Sequence, residues 1–387
     1  MDFRLNDQQD LFRKTVRSFV DAEIRPVARD WEQSGRYPTE IVDGLKELGL
    51  FGMTIPEEYG GLDLDLVSFA VVFEELSRGW MGIAGILGSH SLSCAMIAKH
   101  GTPEQKQQWL PLLATGERRT GVGLTEPDAG TDLQGIRTTA RLEGDTYVVN
   151  GRKTWITNAR YADPLPVLVK TDPTTTPAHR GMSILLIDAT TPGYEVSRDL
   201  PKLGYKGTES CEIVLEDVRV PRSALLGGVE GRGMQQALSS LENGRINIAA
   251  RSVGIAQRAY DEALSYATGR TAFGQPIAQF QAIQLQLANM ATRVQAARLL
   301  TWWAAAEGDA GKRVDTQTGM AKMFASEVAL ECAIESMKVH GGNGYSSEYE
   351  VERLYRDAIL MSIGEGTNDV LRTVIAKSLV KGEVRIG

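Results

Sequence analysis

Residues 123–132 have the sequence Gly-Leu-Thr-Glu-Pro-Asp-Ala-Gly-Thr-Asp, and the pattern of the chain changes from helical to strand-like just before them. The segment contains two hydroxyl residues, three carboxylates, two glycines and one proline. Glycine and proline keep the backbone out of a regular ladder, so this composition predicts a loop whose amides and hydroxyls face a polar, anionic or heterocyclic ligand. An ordinary capped turn has a similar composition, and both interpretations stay open at this point.

Residues 1–118, ahead of this change, predict an all-helical domain. Apolar side chains recur at three- and four-residue spacing between Leu11 and Trp31, as on one face of a helix, although Pro26 should kink or end that helix. The stretch Thr102-Pro-Glu-Gln combines an N-cap hydroxyl, a proline at the first helical position and a glutamine at the third. It predicts the start of another helix.

Residues 119–228 predict a middle β domain, built as an antiparallel sheet, barrel or sandwich. Short runs rich in β-branched residues, such as Thr146-Tyr-Val-Val and Glu212-Ile-Val-Leu, alternate with glycine, proline, aspartate and asparagine. Gly144-Asp145 and Asn150-Gly151 are expected to be turns between such runs. Residues 229–387 return to long apolar helical patterns and predict a C-terminal helical bundle. The fold class is therefore multi-domain α+β.

Composition and charge exclude several classes of function. The formal net charge of the 387-residue chain is −7, so no basic surface for a nucleic-acid backbone is expected. The three cysteines are odd in number and far apart, which predicts reduced thiols, and the four histidines do not approach metal-ligand spacing, so we expect no metal. The N-terminus lacks the pattern of a signal or transit peptide, and no uninterrupted apolar run of about 18 residues occurs. We therefore expect a cytoplasmic protein without a membrane span.

Ile363-Gly-Glu-Gly-Thr-Asn places Glu365 between two glycines and beside apolar residues. Flanking glycines let a ligand approach the backbone, and apolar surroundings raise the pKa of a carboxylate toward the range of a general base. A solvated loop glutamate is the alternative. Two other segments also allow two interpretations each. Trp155 either faces a flat ligand or lies in the β core. His340-Gly-Gly-Asn-Gly-Tyr either binds a phosphate-bearing group or only ends a helix.

These segments, in this order and at these separations, resemble the acyl-CoA dehydrogenase family, of the FAD-dependent short-, medium- or branched-chain type, over essentially the whole chain. Residues 123–135 match the first family signature at every position. Gly341-Gly-Asn-Gly-Tyr, Glu348, Arg353 and Asp357 are similar to the second signature. The resemblance implies an N-terminal helical domain, a middle β domain and a C-terminal four-helix bundle.

The resemblance also implies a flavin site and a substrate site. Residues implied to lie along the FAD of the same subunit are Val122, Leu124, Thr125, Gly130, Thr131, Trp155, Ile156, Thr157, Thr367, Asn368 and Asp369. Residues implied to reach the FAD of a neighbouring subunit are Arg270, Phe273, Gln281, Lys338, Gly341 and Gly342. Residues implied to contact the acyl-CoA are Thr131, Glu242, Arg245 and Gly366. A cofactor shared in this way implies a homo-oligomer, expected to be a tetramer built as a dimer of dimers.

Glu365 falls on the family's base position, whereas some relatives carry the base one residue before the arginine equivalent to Arg245, where this chain has Gly244. The resemblance implies that Glu365 removes the α proton of an acyl-CoA while the β hydrogen leaves as hydride to the flavin, giving the trans-2-enoyl-CoA. An electron-transfer flavoprotein would then reoxidise the flavin. An acyl-CoA oxidase on the same scaffold and a non-catalytic acyl-CoA-binding module are the alternatives.

Three positions depart from the family pattern. Lys338 replaces the glutamine that usually opens the second signature, and Ala272 lacks a hydroxyl common at its position. Gly364 stands where many members have tyrosine, which predicts room for branched or bulky acyl groups. Trp80 and Met81 either close the bottom of the acyl cavity or are helix-packing residues.

Overall fold

A group of helices comes first in the structure, a computed structural model that describes residues 4–382 apart from the side chain of Glu242. These helices are α1 (Asp7–Phe19), α2 (Arg25–Ser34), α3 (Thr39–Glu47), α4 (Leu66–Gly79), α5 (Met81–His100) and α6 (Pro103–Ala114). A π-helical turn, Val20–Ile24, joins α1 to α2 directly ahead of Pro26. The predicted kink is therefore confirmed, and the proline lies in the first turn of α2, where its missing N–H breaks no helical hydrogen bond.

The start of α6 has the capping arrangement that the sequence predicts. The amide of Gln105 donates to the Thr102 hydroxyl at 3.3 Å, and the amide of Thr102 donates to the Gln105 side chain at 3.0 Å. These two bonds satisfy amide groups that the first turn of a helix leaves without partners.

Six strands form the middle sheet in the order β4-β3-β1-β2-β6-β5. They are β1 (Thr139–Glu143), β2 (Thr146–Ile156), β3 (Leu165–Lys170), β4 (Met182–Ile187), β5 (Tyr194–Asp199) and β6 (Cys211–Pro221). Every neighbouring pair is antiparallel except β1 and β3. The predicted turn at Gly144-Asp145 is confirmed, because it joins β1 to β2.

The predicted turn at Asn150-Gly151 is wrong, because both residues lie inside β2. A β-bulge interrupts the pairing of β2 with β6 between Val149 and Gly151, and Asn150 exchanges two hydrogen bonds with Asp217 of β6. The extra residue of a bulge favours the same glycine and asparagine chemistry as a turn, and the strand continues beyond it.

Five helices and a short hairpin make up the C-terminal part of the described chain. They are α7 (Gly233–Gly269), α8 (Gln281–Asp309), α9 (Asp315–His340), α10 (Val351–Met361) and α11 (Asn368–Val380), with β7 (Thr271–Ala272) and β8 (Gln275–Pro276) between α7 and α8. Helices α7, α8 and α9 pack against one another, and α10 and α11 pack on α9. The predicted fold class, with helical ends and a β middle part, is confirmed.

Two of the N-terminal helices pack directly on the C-terminal helices. Helices α4 and α5 pack on α7, and the N- and C-terminal helices share one apolar core. The sheet has a core of its own, and a third apolar cluster lies between α5, α6 and the sheet. Helix α5 therefore stands between the sheet and α7. The boundaries at 118/119 and 228/229 stay predictions.

Helix α5 is also the one helix within residues 4–382 that is long and apolar enough to span a membrane, but 83% of its apolar stretch is buried inside the protein. Such burial is typical of a core helix. The three cysteines are buried free thiols, as predicted.

Candidate active site

Glu365 lies in a tight turn between the end of α10 and the start of α11. Its φ is +55° and that of Gly366 is +91°, so two successive residues adopt left-handed conformations. The turn directs the carboxylate at α7. Its Oε2 atom is buried, has no hydrogen-bond partner among the described residues, and lies 2.6 Å from the point where a Cβ on Gly244 would stand. Gly244 thus makes the space that the carboxylate occupies.

Burial raises the pKa of Glu365, because desolvation penalises the charged form. Three positive charges, on Arg251, Lys322 and Arg245, partly offset that effect. A carboxylate with a raised pKa and no donor bound to it is a stronger proton acceptor than a solvated glutamate. The alternative of a solvated loop glutamate does not fit this geometry.

Lys322 of α9 lies beneath the Glu365 turn and is fully buried. Its Nζ donates to the carbonyl of Gly366 at 2.8 Å and to Oδ1 of Asn368 at 2.9 Å. Burial lowers the pKa of Lys322 to about 8, against the opposing charge of Glu365. The motifs in the sequence assign no role to Lys322. A lysine among the small and apolar residues of a helix was the available signal.

The 122–131 loop is bonded to the sheet. Gly123 donates to the carbonyl of Pro166 at 2.8 Å and accepts from Leu168 at 3.0 Å, while Thr154 donates to the carbonyl of Thr125 at 2.9 Å. These bonds bring the predicted flavin residues Leu124 and Thr125 beside the end of β2.

Glu126 and Lys153 form a buried ion pair of 2.8 Å that fixes the same loop. Glu126 also accepts from the amides of Arg137 and Thr138, and Lys153 also donates to the carbonyl of Leu124 at 3.1 Å. Burial alone would raise the pKa of Glu126, but Lys153 and these hydrogen bonds lower it. Burial lowers the pKa of Lys153 to about 8. Sequence reasoning gave neither residue a role, although Glu126 lies in the quoted segment.

Trp155 is the second-last residue of β2, has a φ of +62° and is 57% exposed. Its location in the β core, the alternative considered for the sequence, is therefore wrong. Ile156 and Thr157 beside it are buried, and Asn158 donates to the backbone carbonyls of Ile86 and Thr120 at 3.0 Å each. Those two bonds tie the indole-bearing turn to α5 and to the loop that precedes Gly123.

A second group of predicted flavin contacts lies at the other end of α7. Residues of this group that are exposed are Arg270, Phe273, Gln281, Lys338, Gly341 and Gly342. Phe273 is 95% exposed on the β7-β8 hairpin. Because α7 rises 1.5 Å per residue, Arg270 is about 39 Å along the axis from Gly244. One chain therefore does not bring this group to Glu365.

The remaining predicted residues take several positions. Gly130 and Thr131 are exposed on the loop, Thr367 caps α11, and Asp369 is exposed beside Arg372 at 3.0 Å. Asn368 is buried and bonded to Lys322 and to Ser326. Val122 is half-buried. The side chain of Glu242 lies outside the described residues.

A cavity of about 1360 Å³ opens between the loop around Arg180, the first turns of α7 and the start of α9, with α11 along one side. Cationic side chains that line it are Arg180, Arg232, Arg245, Arg313, Lys377 and Lys381. Arg245 contacts Asp315, at 3.3 Å to the carbonyl and 3.5 Å to the carboxylate, and its charge also acts on Glu365. The cavity is thus suited to an anionic ligand, and Arg245 is the lining residue whose charge also acts on Glu365.

Asp199, Glu209 and Cys211 bring three potential metal ligands within 4.8 Å of one another. Arg160 already pairs with both carboxylates, at 3.3 Å and 3.5 Å, and the Cys211 thiol donates to Asp199 at 2.9 Å. Burial raises the pKa of that thiol. This cluster is satisfied internally and gives no support to a metal site.

Comparison with known proteins decides the family. Models of the acyl-CoA dehydrogenase N-terminal, middle and C-terminal domains match residues 6–117, 121–218 and 231–380. The probable acyl-CoA dehydrogenase YngJ of Bacillus subtilis strain 168 is 43% identical over 383 residues, which are 98% of this chain and 100% of that relative. The chain belongs to the acyl-CoA dehydrogenase family.

Two further similar proteins extend the comparison. The caffeyl-CoA reductase-Etf complex subunit CarC of Acetobacterium woodii is 38% identical over 379 residues, 98% of this chain and 99% of the relative. The solved structure of butyryl-CoA dehydrogenase from Megasphaera elsdenii superposes with a TM-score of 0.95 at 37% identity and covers 98% of this chain and 100% of that one. The protein is accordingly an FAD-dependent enzyme of the acyl-CoA dehydrogenase family.

The residues near the end of β2 fit that cofactor. An exposed indole at Trp155 offers a flat apolar face, and the hydroxyls of Thr125 and Thr157 lie on the adjoining segments. Nothing lies within 4 Å of a Cβ built on Gly130, so the loop leaves space there. A flat heterocycle with polar edges is the class of group that such a surface accommodates.

Proposed function

We propose that the protein dehydrogenates an acyl-CoA thioester to the trans-2-enoyl-CoA, with Glu365 as the base that takes the α proton. The observation that carries this proposal is the buried carboxylate of Glu365, which has no donor among the described residues and packs over Gly244. An ordinary structural glutamate would be paired or solvated, because an unpaired buried charge is costly. A base that must accept a proton from substrate needs this environment.

Residues of this chain would bind the CoA, polarise the thioester and orient the base. The cationic cavity holds the CoA phosphates, with Arg245, Thr131 and Glu242 toward the substrate, and the Gly366 turn lies beside the thioester. The backbone amide of Glu365 polarises the thioester carbonyl, which makes the α proton more acidic. Lys322 holds the turn through Gly366 and Asn368, so the carboxylate keeps its direction.

FAD would lie along the 122–131 loop and Trp155–Thr157, with Thr367 to Asp369 nearby. When bound, it accepts the hydrogen that leaves the β carbon with its electron pair and passes the electrons on to an electron-transfer flavoprotein. The exposed group at the far end of α7, with Arg270 and Phe273, would serve the FAD of a second copy. This arrangement supports a homo-oligomer, and we infer a dimer of dimers located in the cytoplasm.

The direction of the reaction belongs to the proposal as well. One relative is named a caffeyl-CoA reductase, and the same residues can deliver a proton in the reverse direction. An acyl-CoA oxidase uses the same base but would release hydrogen peroxide in air. A non-catalytic binding module would not need an unpaired buried carboxylate.

The test is anaerobic mixing of the purified holoenzyme with a panel of acyl-CoA thioesters, followed by the loss of flavin colour. Glu365→Gln should retain FAD but reduce the rate of bleaching about 10² to 10⁴-fold or more, since general-base loss has that cost. Glu331→Gln, an exposed glutamate on α9 paired with Arg293, is the matched control and should bleach normally. Normal bleaching by Glu365→Gln would exclude the assigned base, and peroxide formation in air would favour the oxidase.

A further inference from the structure

Beyond Glu365, a polar face of α7 is buried against α5. Gly244, Asn247 and Arg251 are spaced by three and four residues, so they lie along one side of the helix. Both polar side chains are nearly inaccessible, at 4% exposure each. Apart from the effect of the Arg251 charge on the pKa of Glu365, neither has a role in the proton abstraction proposed above.

Glycines on α5 leave room for this polar face. A Cβ on Gly88 would stand 2.8 Å from Oδ1 and 3.1 Å from Nδ2 of Asn247. A Cβ on Gly85 would collide with the hydroxyl of Tyr205, whose ring centroid lies 5.2 Å from the Arg251 guanidinium carbon. Side chains at these α5 positions would therefore displace the polar groups.

The guanidinium of Arg251 is poorly bonded for a buried cation. Nη1 donates to Oδ1 of Asn247 at 3.4 Å and Nη2 to the sulfur of Met81 at 2.6 Å, both weak acceptor contacts. Its Nε has no acceptor within the described part of the chain. None of the described carboxylates lies within ion-pair distance of it. A buried cation without a counter-ion is costly and calls for an anion.

Two neutral donors are also unsatisfied, and one of them belongs to Asn247, the hydrogen-bond partner of Arg251. The amide Nδ2 of Asn247 and the indole Nε1 of Trp80 are buried without a hydrogen-bond acceptor among the described residues. Trp80 directly precedes Met81, the residue that Arg251 contacts. The cluster therefore combines one cation with unpaired donors and lacks acceptors to match them. Oxygen atoms of an anion would satisfy both the Arg251 guanidinium and the Asn247 amide.

Arg251 does not serve as the hydrogen-bonding partner of Glu365. Oε2 of Glu365 lacks a donor while Nε of Arg251 lacks an acceptor, so the two groups are close without bonding through these atoms. Of the positive charges that lower the pKa of Glu365, Arg251 has the largest effect. Its Cα is about 10 Å along α7 from that of Gly244, and helical side chains tilt back toward the N-terminus. The two groups are therefore at most about 10 Å apart along the α7 axis, which limits a ligand that spans them to a short acyl chain.

We propose that Arg251, with Asn247, binds a carboxylate at the far end of the acyl chain. The substrate class is then the mono-CoA thioester of a short dicarboxylic acid, with its thioester end at Glu365 and its free carboxylate at Arg251. This inference rests on the proposed dehydrogenation and names the substrate of that same site.

Matched pairs of thioesters test the inference on the wild-type holoenzyme. Glutaryl-CoA and pentanoyl-CoA have equal chain lengths and differ in the terminal carboxylate, as do adipyl-CoA and hexanoyl-CoA. We expect kcat/KM for a dicarboxylic member to exceed that of its neutral partner about 10-fold or more, because a site with buried donors discriminates against a ligand that leaves them unpaired. Preference for both neutral members would overturn the inference and leave the proposed function standing. Failure of every thioester to bleach the flavin would overturn the proposed function itself.

Variants separate recognition from folding. Arg251→Gln should lower the ratio of glutaryl-CoA to pentanoyl-CoA kcat/KM about 10²-fold, and Arg251→Lys should lower it less because the cation remains. Should Arg251→Gln lose FAD, calorimetric binding to the Glu365→Gln holoenzyme gives an independent measurement without turnover. Tighter binding of glutaryl-CoA than of pentanoyl-CoA supports the inference, and equal or weaker binding overturns it.

Discussion

Oε2 of Glu365 lies 2.6 Å from the point where a Cβ on Gly244 would stand. That distance is shorter than a Cβ contact, so any side chain at position 244 must displace the carboxylate. The two residues are far apart in the chain, and the turn after α10 brings them together on α7. The direction of the proposed base therefore depends on the absence of a side chain on another helix.

Gly244→Ala should slow flavin reduction about 10- to 10²-fold, because displacement of a catalytic group by a fraction of an ångström to an ångström carries such a cost. Stopped-flow bleaching by an acyl-CoA measures the rate, and the visible flavin spectrum reports FAD content. Gly269→Ala, at the other end of α7, is the control, since nothing lies within 4 Å of a Cβ there. An unchanged rate in Gly244→Ala would mean that the carboxylate does not act from this position.

A carboxylate at position 244 should restore part of the activity that is lost when the carboxylate at position 365 is removed. Glu365→Gly removes the carboxylate and leaves a backbone that glycine tolerates, since φ is +55° at this position. Adding Gly244→Glu returns a carboxylate to the same space from α7. We expect the double variant to bleach about 10-fold or more faster than Glu365→Gly alone. Equal rates in these two variants would show that position 244 does not open onto the substrate.

Lys322 should contribute to the pH dependence of flavin reduction. A neighbouring cation favours the ionised carboxylate, so Lys322→Met removes a charge that lowers the pKa of Glu365. Since the base acts only when deprotonated, the acidic limb of the rate profile should move to higher pH. Lys312→Met, an exposed lysine paired with Glu307, should leave the limb in place. A shift of the acidic limb to lower pH in Lys322→Met would contradict the assignment of Glu365 as the group that titrates.

The sequence predicts much of this fold because its signals are local. The capping residues at Thr102, the proline at position 26 and the apolar spacing of the helices depend on neighbours a few residues away. Glu365 could be identified as a candidate base for the same reason, because the two glycines that flank it are its neighbours in the sequence. The prediction of a turn at Asn150-Gly151 was wrong because a turn and a β-bulge require similar residues. Only the pairing with the partner strand β6 distinguishes the two.

The residues that sequence reasoning missed act across helices. Lys322 matters because α9 passes beneath the Glu365 turn. Arg251 matters because its partner Asn247 faces Gly88 of α5. A polar residue in an apolar helical pattern signals that something is unusual, but it does not say which element lies opposite. Those contacts are tertiary, and a single sequence does not record them.

Loss of the Lys153 charge should destabilise the loop that carries the predicted flavin contacts. Lys153→Met leaves Glu126 buried without its cation, which costs about 3 to 5 kcal/mol of unfolding free energy. Adding Glu126→Gln removes the uncompensated charge, so the double variant should recover part of the loss. Denaturant unfolding measures both, and FAD content should fall in parallel with stability. If the two substitutions act independently, adding Glu126→Gln will lower the unfolding free energy further instead of restoring part of it. That result would contradict an energetic coupling between Lys153 and Glu126.

Gly364 should control how much bulk the site accepts beside the thioester. A Cβ on Gly364 would lie 3.6 Å from the carbonyl of Leu360 and 3.9 Å from its Cδ1, so a side chain fits there without backbone strain. Gly364→Tyr should lower kcat/KM for isobutyryl-CoA about 10-fold relative to butyryl-CoA, because the ring fills space that a branched chain needs. Gly364→Ala adds only a methyl group and should change this ratio little. Equal or better turnover of butyryl-CoA in Gly364→Tyr, with isobutyryl-CoA unaffected, would count against a role for this glycine in admitting branched chains.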